Sequence, residues 1–168
     1  ECSQYLENYG GHMYAAGLTL KKENLIPFED KFEKVVAEKI TEDILTPVVQ
    51  IDTYLDFKQI TPKFFRILKQ FQPFGPGNQS PVFITENVYD NGNGRLVGSG
   101  NGHMKLELIQ EDEPYRYISA IAFNRAEHFE HLHAGNPVDI CYSIAENYYR
   151  GIANIQLRVK DIHKKELF

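Results

Sequence analysis

An amphipathic pattern in the first third of the chain predicts a helix. Between residues 24 and 40, apolar side chains recur at spacings of three and four, which places them on one helical face. The residues of this stripe are Phe28, Phe32, Val35, Val36 and Ile40. The other face is rich in Glu and Lys and is predicted to lie in water, and Asn24 is placed to cap the first turn.

The segments beside this helix carry weaker patterns. Residues 1–9 are predicted to be the end of a helix that Gly10 and Gly11 stop, and residues 15–20 to be a short strand. Thr46-Pro47 ends the helical region and is interpreted as the linker to the rest of the chain.

After residue 47, apolar and polar side chains alternate with the period of two that is typical of strands with one buried face. Met104, Leu106 and Leu108 form one such apolar face. The predicted strands are residues 48–57, 82–84, 95–98, 103–110, 117–123, 138–144 and 155–159. A helix is predicted after Thr61-Pro62, a typical cap and first-turn pair, and one or two helical turns at residues 126–133.

These elements predict an α+β protein with two parts, residues 1–46 and residues 47–168. The first part is rich in helix. From Pro81 on, the second holds about five or six strands, a short helix and no parallel βαβ pattern, which favours a small antiparallel barrel or sandwich. An OB-type barrel fits, because that fold has five strands with a helix between the third and the fourth.

Composition and charge limit the classes of function that the chain can have. The 168 residues carry a net charge of −5, so any nucleic-acid interface must be a local patch rather than a broadly basic surface. No apolar run approaches a membrane span, and Cys2 and Cys141 are predicted to be reduced thiols in a cytosolic protein. The chain begins without Met, and we interpret it as a piece of a longer protein.

A glycine-rich motif, GGHxxAAG, occupies residues 10–17. One interpretation is a turn in which Gly10 and Gly11 adopt positive φ and expose backbone N–H groups to an anion, with the His12 ring beside them. The alternative is a glycine pair that ends a helix, followed by an incidental surface histidine. The residues alone leave both open.

A second motif, Pro73-Phe74-Gly75-Pro76-Gly77-Asn78, is followed by Pro81-Val82-Phe83. Its prolines fix φ and its glycines supply conformations that other residues avoid, so a rigid loop is predicted. Phe74 and Phe83 could stack on bases, but core positions are favoured for aromatic residues beside a strand.

Together and in this order, the two motifs resemble the RecJ-like single-strand DNA exonucleases of the DHH phosphoesterase superfamily. Further segments with this resemblance are Ile51-Asp52, Gly98 to Leu106, Ala120 to Asn124 and Gln156 to Asp161. The resemblance covers nearly the whole chain. It implies that residues 1–46 are the C-terminal part of the DHH-associated α/β domain, in which Gly10, Gly11 and His12 hold the substrate phosphate. It implies that residues 47–168 are an OB-fold-like barrel with an N-terminal strand and helix as connector.

The resemblance also implies a 5′-to-3′ exonuclease of DNA repair and recombination in the cytoplasm. Mn²⁺ or Mg²⁺ would serve the parent enzyme, but its Asp- and His-rich metal motifs have no counterpart here, so no catalytic residue, metal or cofactor is assigned to this chain. The implied partners are single-stranded DNA and, in addition, single-strand-binding protein or a helicase, with no membrane contact. Two alternatives stay open: the barrel docks proteins, or the chain is part of another DHH-superfamily phosphodiesterase.

Basic residues of the second part are the candidates for a nucleic-acid-binding face. They are Arg95, Lys105, Arg125, Arg158 and Lys160, of which Lys105, Arg158 and Lys160 are predicted to point outward from strands. With aromatic residues beside them they would form a single-strand groove; the alternative is scattered charge that keeps the protein soluble. His128, His131 and His133 are interpreted as a solvated helix rather than a zinc site.

Overall fold

The computed structural model describes residues 1–12 and 14–165. Its contacts divide the chain into two compact units, Glu1–Val48 and a larger unit that begins at Val49. None of the helices in these residues has the length and apolar character needed to cross a membrane.

The first unit is a β-hairpin followed by helix. Strand β1 (Leu6–His12) pairs antiparallel with β2 (Ala15–Leu20), and α1 (Leu25–Lys39) and the short α2 (Glu42–Leu45) follow. The predicted strand and amphipathic helix are confirmed. The predicted helical end at residues 1–9 is wrong, because only Ser3–Tyr5 forms a single 3-10 turn before β1 begins.

The glycines of the GGHxxAAG motif lie inside β1, and neither Gly10 nor Gly11 has a positive φ. The prediction of a positive-φ turn and the alternative of a helix C-cap are therefore both wrong. A Cβ added at Gly11 would lie 2.4 Å from the Ala15 carbonyl oxygen and 2.7 Å from the Ala16 Cα. At Gly10 it would meet nothing within 4 Å. Gly11 is thus required by the close approach of β2.

Helix α1 keeps its predicted stripe but buries none of its residues. Phe28 and Phe32 stack with ring centroids 5.4 Å apart. The predicted Asn24 cap is wrong, since its side chain makes no cap hydrogen bond and its amide instead donates to the Tyr5 carbonyl at 3.1 Å. Asn24 thereby joins the start of the helix to the segment before β1.

The second unit consists of a connector and a seven-stranded sheet. Its elements are β3 (Thr53–Tyr54), α3 (Pro62–Leu68), β4 (Phe83–Asp90), β5 (Arg95–Val97), β6 (His103–Gln110), β7 (Ile118–Ala122), α4 (Phe129–His133), β8 (Val138–Tyr149) and β9 (Ile152–Lys164). The strand order is β3-β4-β8-β9-β7-β6-β5, and β4 also pairs with β6. Five strands, β4, β6, β7, β9 and β8, therefore pair in a ring, and α4 lies in sequence between the third and fourth of them. This mixed α+β, OB-like architecture agrees with the prediction.

Two strand pairs depart from the predicted antiparallel arrangement. β7 pairs with β9 in parallel, and β3 pairs with β4 in parallel. Parallel partners need a long connection, and the chain provides one by passing through α4 and β8 between β7 and β9. Alternation within single strands contains no information on these partners.

The inward faces of the strands form the core of this unit. Each of the following is at most 8% exposed: Met104, Leu106, Leu108, Ala120, Ala122, Val138, Ile140, Tyr142, Ile144, Leu157 and Val159. Leu132 of α4 joins them at 1% exposed. Phe83 is also buried, which confirms its core position, whereas Phe74 is half-buried.

The connector differs from the predicted long strand at residues 48–57, since only Thr53–Tyr54 is strand. Polar groups inside the core fix the segment that follows. The Thr85 hydroxyl donates to the Leu55 carbonyl, and the Tyr142 hydroxyl lies 2.7 Å from Thr85 Oγ1. Burial raises the pKa of Tyr142, so this hydroxyl stays neutral.

Helix α3 begins as predicted. The Thr61 hydroxyl accepts a hydrogen bond from the Phe64 N–H at 3.1 Å, and Pro62 occupies the first turn. Phe65 and Leu68 anchor the helix in the core.

Candidate nucleic-acid interface

Strand register brings three of the predicted basic residues into one row. Arg95 of β5 pairs with Lys105 of β6, Lys105 with Ile121 of β7, and Ile121 with Arg158 of β9. Side chains of paired residues point to the same face of a sheet, and the neighbours of Lys105 and Arg158 along their strands are buried. Arg95, Lys105 and Arg158 therefore share the outer face.

This row carries positive charge that the protein does not neutralise. Among the residues described, Arg95, Lys105 and Arg158 form no salt bridge. Like charges directly opposite each other on paired strands are unfavourable, as Arg95 and Lys105 are here. An anion on the outer face would relieve that repulsion.

Two adjoining grooves run along this face. One, of about 390 Å³, has Lys105, Phe123, Asn147 and Arg158 among its lining residues. The other, of about 480 Å³, shares Lys105 and Asn147 with the first and continues to Tyr117 and Tyr149. The shared residues make the grooves one continuous surface across β6, β7, β8 and β9.

Phe123 forms an aromatic platform at one end of this surface. Its side chain is 45% exposed, and the Arg158 guanidinium lies 5.7 Å from the ring centroid. The His103 ring meets it edge-on, with centroids 5.2 Å apart. The Asn124 N–H donates to His103 Nδ1 at 3.0 Å, so in the neutral ring Nε2 carries the proton.

Gly98 determines how closely the turn before β6 approaches this platform. Its φ is +89°, and a Cβ there would lie 2.8 Å from His103 Cδ2. Only glycine combines this backbone conformation with such close packing against the ring. Gly98 belongs to the segment of residues 98–106 that resembles the RecJ-like exonucleases. The turn at Gly98 packs against the His103 ring, and the His103 ring packs against Phe123.

Two tyrosines occupy the other end of the surface. Tyr117 is 55% exposed and Tyr149 is 61% exposed, and both line the larger groove. The Arg150 guanidinium lies 5.3 Å from the Tyr149 ring. Arg116 donates to the carbonyls of Lys58 and Ile60, at 3.2 and 3.0 Å, and so ties the loop before β7 to the connector.

The remaining two predicted basic residues lie elsewhere. Arg125 is half-buried and donates to the carbonyls of Lys160 and Asn124, at 3.0 and 3.3 Å, with its Nε 3.7 Å from Asp161. Its guanidinium is thus engaged within the protein. Lys160 is exposed at an irregularity in the β8–β9 register and has no pairing partner there.

Two acidic side chains border the grooves, and both have internal partners. Glu107 accepts from the side-chain amides of Asn91 and Asn93, at 3.0 and 2.9 Å. Glu146 lies 3.0 Å from the Lys69 ammonium, whose hydrogen bond is the main cause of its lowered pKa. The Lys69 ammonium reduces the repulsion that Glu146 would exert on an approaching phosphate, whereas the neutral amides beside Glu107 leave its charge in place.

In the first unit, His12 lies exposed at the end of β1, paired with Ala15. Its Nδ1 accepts a hydrogen bond from the Tyr14 N–H at 3.3 Å, which leaves Nε2–H free to donate outward. An open cleft of about 660 Å³ runs from His12, Gly10 and Gly11 to Phe28 and Phe32 of α1. The three residues of the motif thus share one cleft.

The histidines of the second unit do not converge. Burial lowers the pKa of His128, and its Nδ1 is buried without a hydrogen-bond partner in the described structure. His133 stacks on Phe129. Across residues 1–12 and 14–165, no group of three or more His, Cys, Asp and Glu side chains is arranged to hold a metal ion.

Phe123, His103 and Tyr117 were not among the residues predicted to bind. A signal for Phe123 was present, since 119 and 121 are outward positions of β7, whose inward residues include Ala120 and Ala122, and 123 continues this alternation one residue after the strand ends. That position predicted an exposed ring, but single exposed aromatic residues are common on protein surfaces, so the pattern did not by itself indicate binding. The contacts of His103 depend on how the turn before β6 folds, and no pattern in the sequence indicated them.

Comparisons with known proteins agree with this architecture. The family model for the RecJ OB domain matches residues 51–161. The single-stranded-DNA-specific exonuclease RecJ of Bacillus subtilis is 27% identical over 161 residues, 96% of this chain and 20% of that protein. RecJ of Haemophilus influenzae is 27% identical over 152 residues, 90% of this chain and 26% of that protein. The chain thus spans about a fifth to a quarter of the length of these relatives.

Solved structures show the same fold. RecJ from Thermus thermophilus, crystallised in complex with Mn²⁺, matches 99% of this chain and 23% of its own with a TM-score of 0.68 and 23% identity. The same protein in complex with Mg²⁺ matches with a TM-score of 0.65. The resemblance found in the motifs is therefore confirmed, and the chain belongs to the RecJ OB domain family.

Proposed function

We propose that this chain binds single-stranded DNA as part of a RecJ-type exonuclease, with the strand lying on the outer face of β6, β7 and β9. The observation that carries the proposal is the row of Arg95, Lys105 and Arg158 beside the exposed ring of Phe123. The names of the curated relatives, single-stranded-DNA-specific exonucleases, support this choice of ligand.

The chemistry of the face suits a flexible single strand. Cations in a row follow the phosphates of the backbone, while an exposed aromatic ring stacks on a base and contributes about 1–3 kcal/mol. Phe123 sits beside Arg158, so base and phosphate of one nucleotide would be held together. The ring of strand pairings supports a closed OB-type barrel, a rigid scaffold on which these side chains keep their positions.

Binding of a fluorescently labelled oligothymidylate of about 12 nucleotides, a length within the range of known OB-fold sites, tests the proposal. We expect anisotropy to report binding at low salt that weakens as salt rises, because phosphate contacts release counterions.

Replacing Phe123 with alanine should weaken binding about 5- to 100-fold, the equivalent of one lost base stack.

Tyr54→Ala is the matched control, because Tyr54 is 69% exposed but lies on β3 and lines neither groove. Its affinity should equal that of the wild type. If the wild-type chain does not bind at low salt, the proposal fails and a protein-docking role, which the net charge of −5 would suit, takes its place.

The activity of the longer enzyme is part of the proposal. A RecJ-type exonuclease would degrade the strand in the 5′-to-3′ direction in DNA repair and recombination, in the cytoplasm, with single-strand-binding protein or a helicase as further partners. The side chains described do not form a ligand set for Mn²⁺ or Mg²⁺, so the metals would be held by other parts of such an enzyme. This chain would bind the DNA strand and position it.

The Gly-Gly-His hairpin has a role in the same proposal, as the C-terminal part of the DHH-associated domain. The exposed His12 ring and its free Nε2–H support contact with a substrate phosphate. In a full-length enzyme that contains this segment, His12→Ala should lower the turnover number about 10- to 100-fold, which corresponds to a lost hydrogen bond to a charged group. Nuclease assays measure this effect.

Tyr14→Phe is a control for His12→Ala, since Tyr14 is a neighbouring exposed residue whose hydroxyl has no part in the proposal. Unchanged thermal melting of both variants would show that folding is intact. Wild-type turnover in His12→Ala would remove the role assigned to His12.

A further inference from the structure

A third groove adjoins the face just described and lies between helix α3 and the first part of β9. Its volume is about 580 Å³, and Arg66, Lys69 and Phe65 line the helical side. Asn154 and Ile155 line the opposite side, and these two residues also line the groove that contains Tyr117 and Tyr149. The grooved surface therefore continues beyond the sheet onto the connector helix.

Helix α3 carries an unneutralised cation at this position. Arg66 is exposed and, within the described part of the chain, forms no salt bridge. Lys69, one turn further on, pairs with Glu146 at 3.0 Å and is largely neutralised. Lys63, three residues before Arg66, is exposed as well. Arg66 is therefore the free positive charge that lines this groove.

The helix is also held rigidly, so Arg66 is presented from a fixed position. Thr61 caps its first turn, and Phe65 and Leu68 are buried on the inner side. The groove wall opposite offers the Asn154 side-chain amide, which can donate to and accept from a base or phosphate. A cation on one wall and an amide on the other suit the backbone of an extended strand.

We propose that the DNA strand continues from the Phe123 platform, past Tyr117 and Tyr149, across Asn154 and Ile155, and onto helix α3, where Arg66 binds a phosphate. The inference rests on the proposed function and specifies which surface the DNA strand covers. The connector, and not only the barrel, belongs to the DNA-binding site. A longer strand therefore gains contacts that a short one cannot make.

Two oligothymidylates of different length test this inference on the whole chain, one of about 5 and one of about 15 nucleotides, near the limits of known OB-fold sites. Arg66→Ala should weaken binding of the longer strand about 3- to 10-fold, and it should lower the slope of log affinity against log salt by about 0.7, the value for one phosphate contact on a single strand. Arg66→Glu should show a larger loss. Binding of the short strand should not change.

Lys34→Ala is the control, because it removes one exposed positive charge from α1 in the other unit. It should leave both affinities unchanged. If wild-type binds both strands but Arg66→Ala affects neither, or affects both equally, the inference is overturned while the proposed function stands. If neither strand binds to the wild type, the inference and the proposed function fail together. Arg66 is exposed, and thermal melting checks that its variants fold.

Discussion

Replacing Lys105 and Arg158 together with alanine is expected to weaken binding of single-stranded DNA by about 10- to 100-fold at moderate salt, since each lost charge-assisted contact costs roughly 1 kcal/mol or more. The two cations lie two strands apart in one row, with Ile121 between them. Arg158 also lies against Phe123, so its loss removes support from the stacking ring. Fluorescence anisotropy over a range of salt concentrations measures the effect.

A second double variant distinguishes the effect of the basic row on DNA binding from the effect of the net charge. Lys31→Ala with Lys34→Ala removes the same charge from the exposed face of α1. If the row is the interface, this control should bind nearly as the wild type does. An equal loss in both double variants would mean that net charge alone governs binding, and the assignment of the row would be wrong.

The net charge of −5 makes this comparison informative. A protein with a broad basic surface binds DNA through many cations at once, so a single substitution has a small effect on its affinity. Here the favourable potential must come from few residues. We expect Lys105 to contribute most among them, because it lines both grooves of the proposed interface.

The sequence predicted the strands after residue 81 well because their patterns are local. Met104, Leu106 and Leu108 alternate with polar residues, and each lies at the position that the alternation predicts. The outward direction of Lys105 and Arg158 follows from the same rule. The row itself could not be predicted, because it depends on which strands pair and in which register, and alternation does not determine partners.

Arg125 shows that charge and a position near a turn do not indicate whether a basic side chain is free to bind a ligand. Its charge and position suggested a binding role, yet its guanidinium is occupied by the carbonyls of Asn124 and Lys160. Those acceptors lie near it only after β9 has packed beside the turn. The platform of Phe123 and His103 depends on tertiary contacts in the same way.

The first nine residues were predicted wrongly for a related reason. A glycine pair is common at helix ends, so the local pattern favoured a helix that stops at Gly10. Residues 6–12 instead pair with residues 15–20, and a strand partner outweighs local propensity. Gly11 is the residue of the motif that allows the two strands to approach closely.

Gly11→Ala should therefore destabilise the hairpin, and we expect the free energy of its opening to fall by about 1–3 kcal/mol, the usual cost of overpacking. The new Cβ would lie 2.4 Å from the Ala15 carbonyl oxygen, a backbone atom that cannot turn away as a flexible side chain can. Hydrogen exchange of the amides of β1 and β2 is the suitable measurement, because global melting would report mainly on the larger unit.

Gly10→Ala is the matched control, one residue away in the same strand, since its Cβ would meet nothing within 4 Å. We expect the exchange rates of its hairpin amides to stay close to those of the wild type, within about 0.5 kcal/mol. Equal acceleration in the two variants would show that the hairpin needs glycine for flexibility rather than for close packing. Acceleration in Gly11→Ala alone would mean that the motif keeps its glycine at position 11 so that β2 can lie against β1, which holds His12 at the end of the strand.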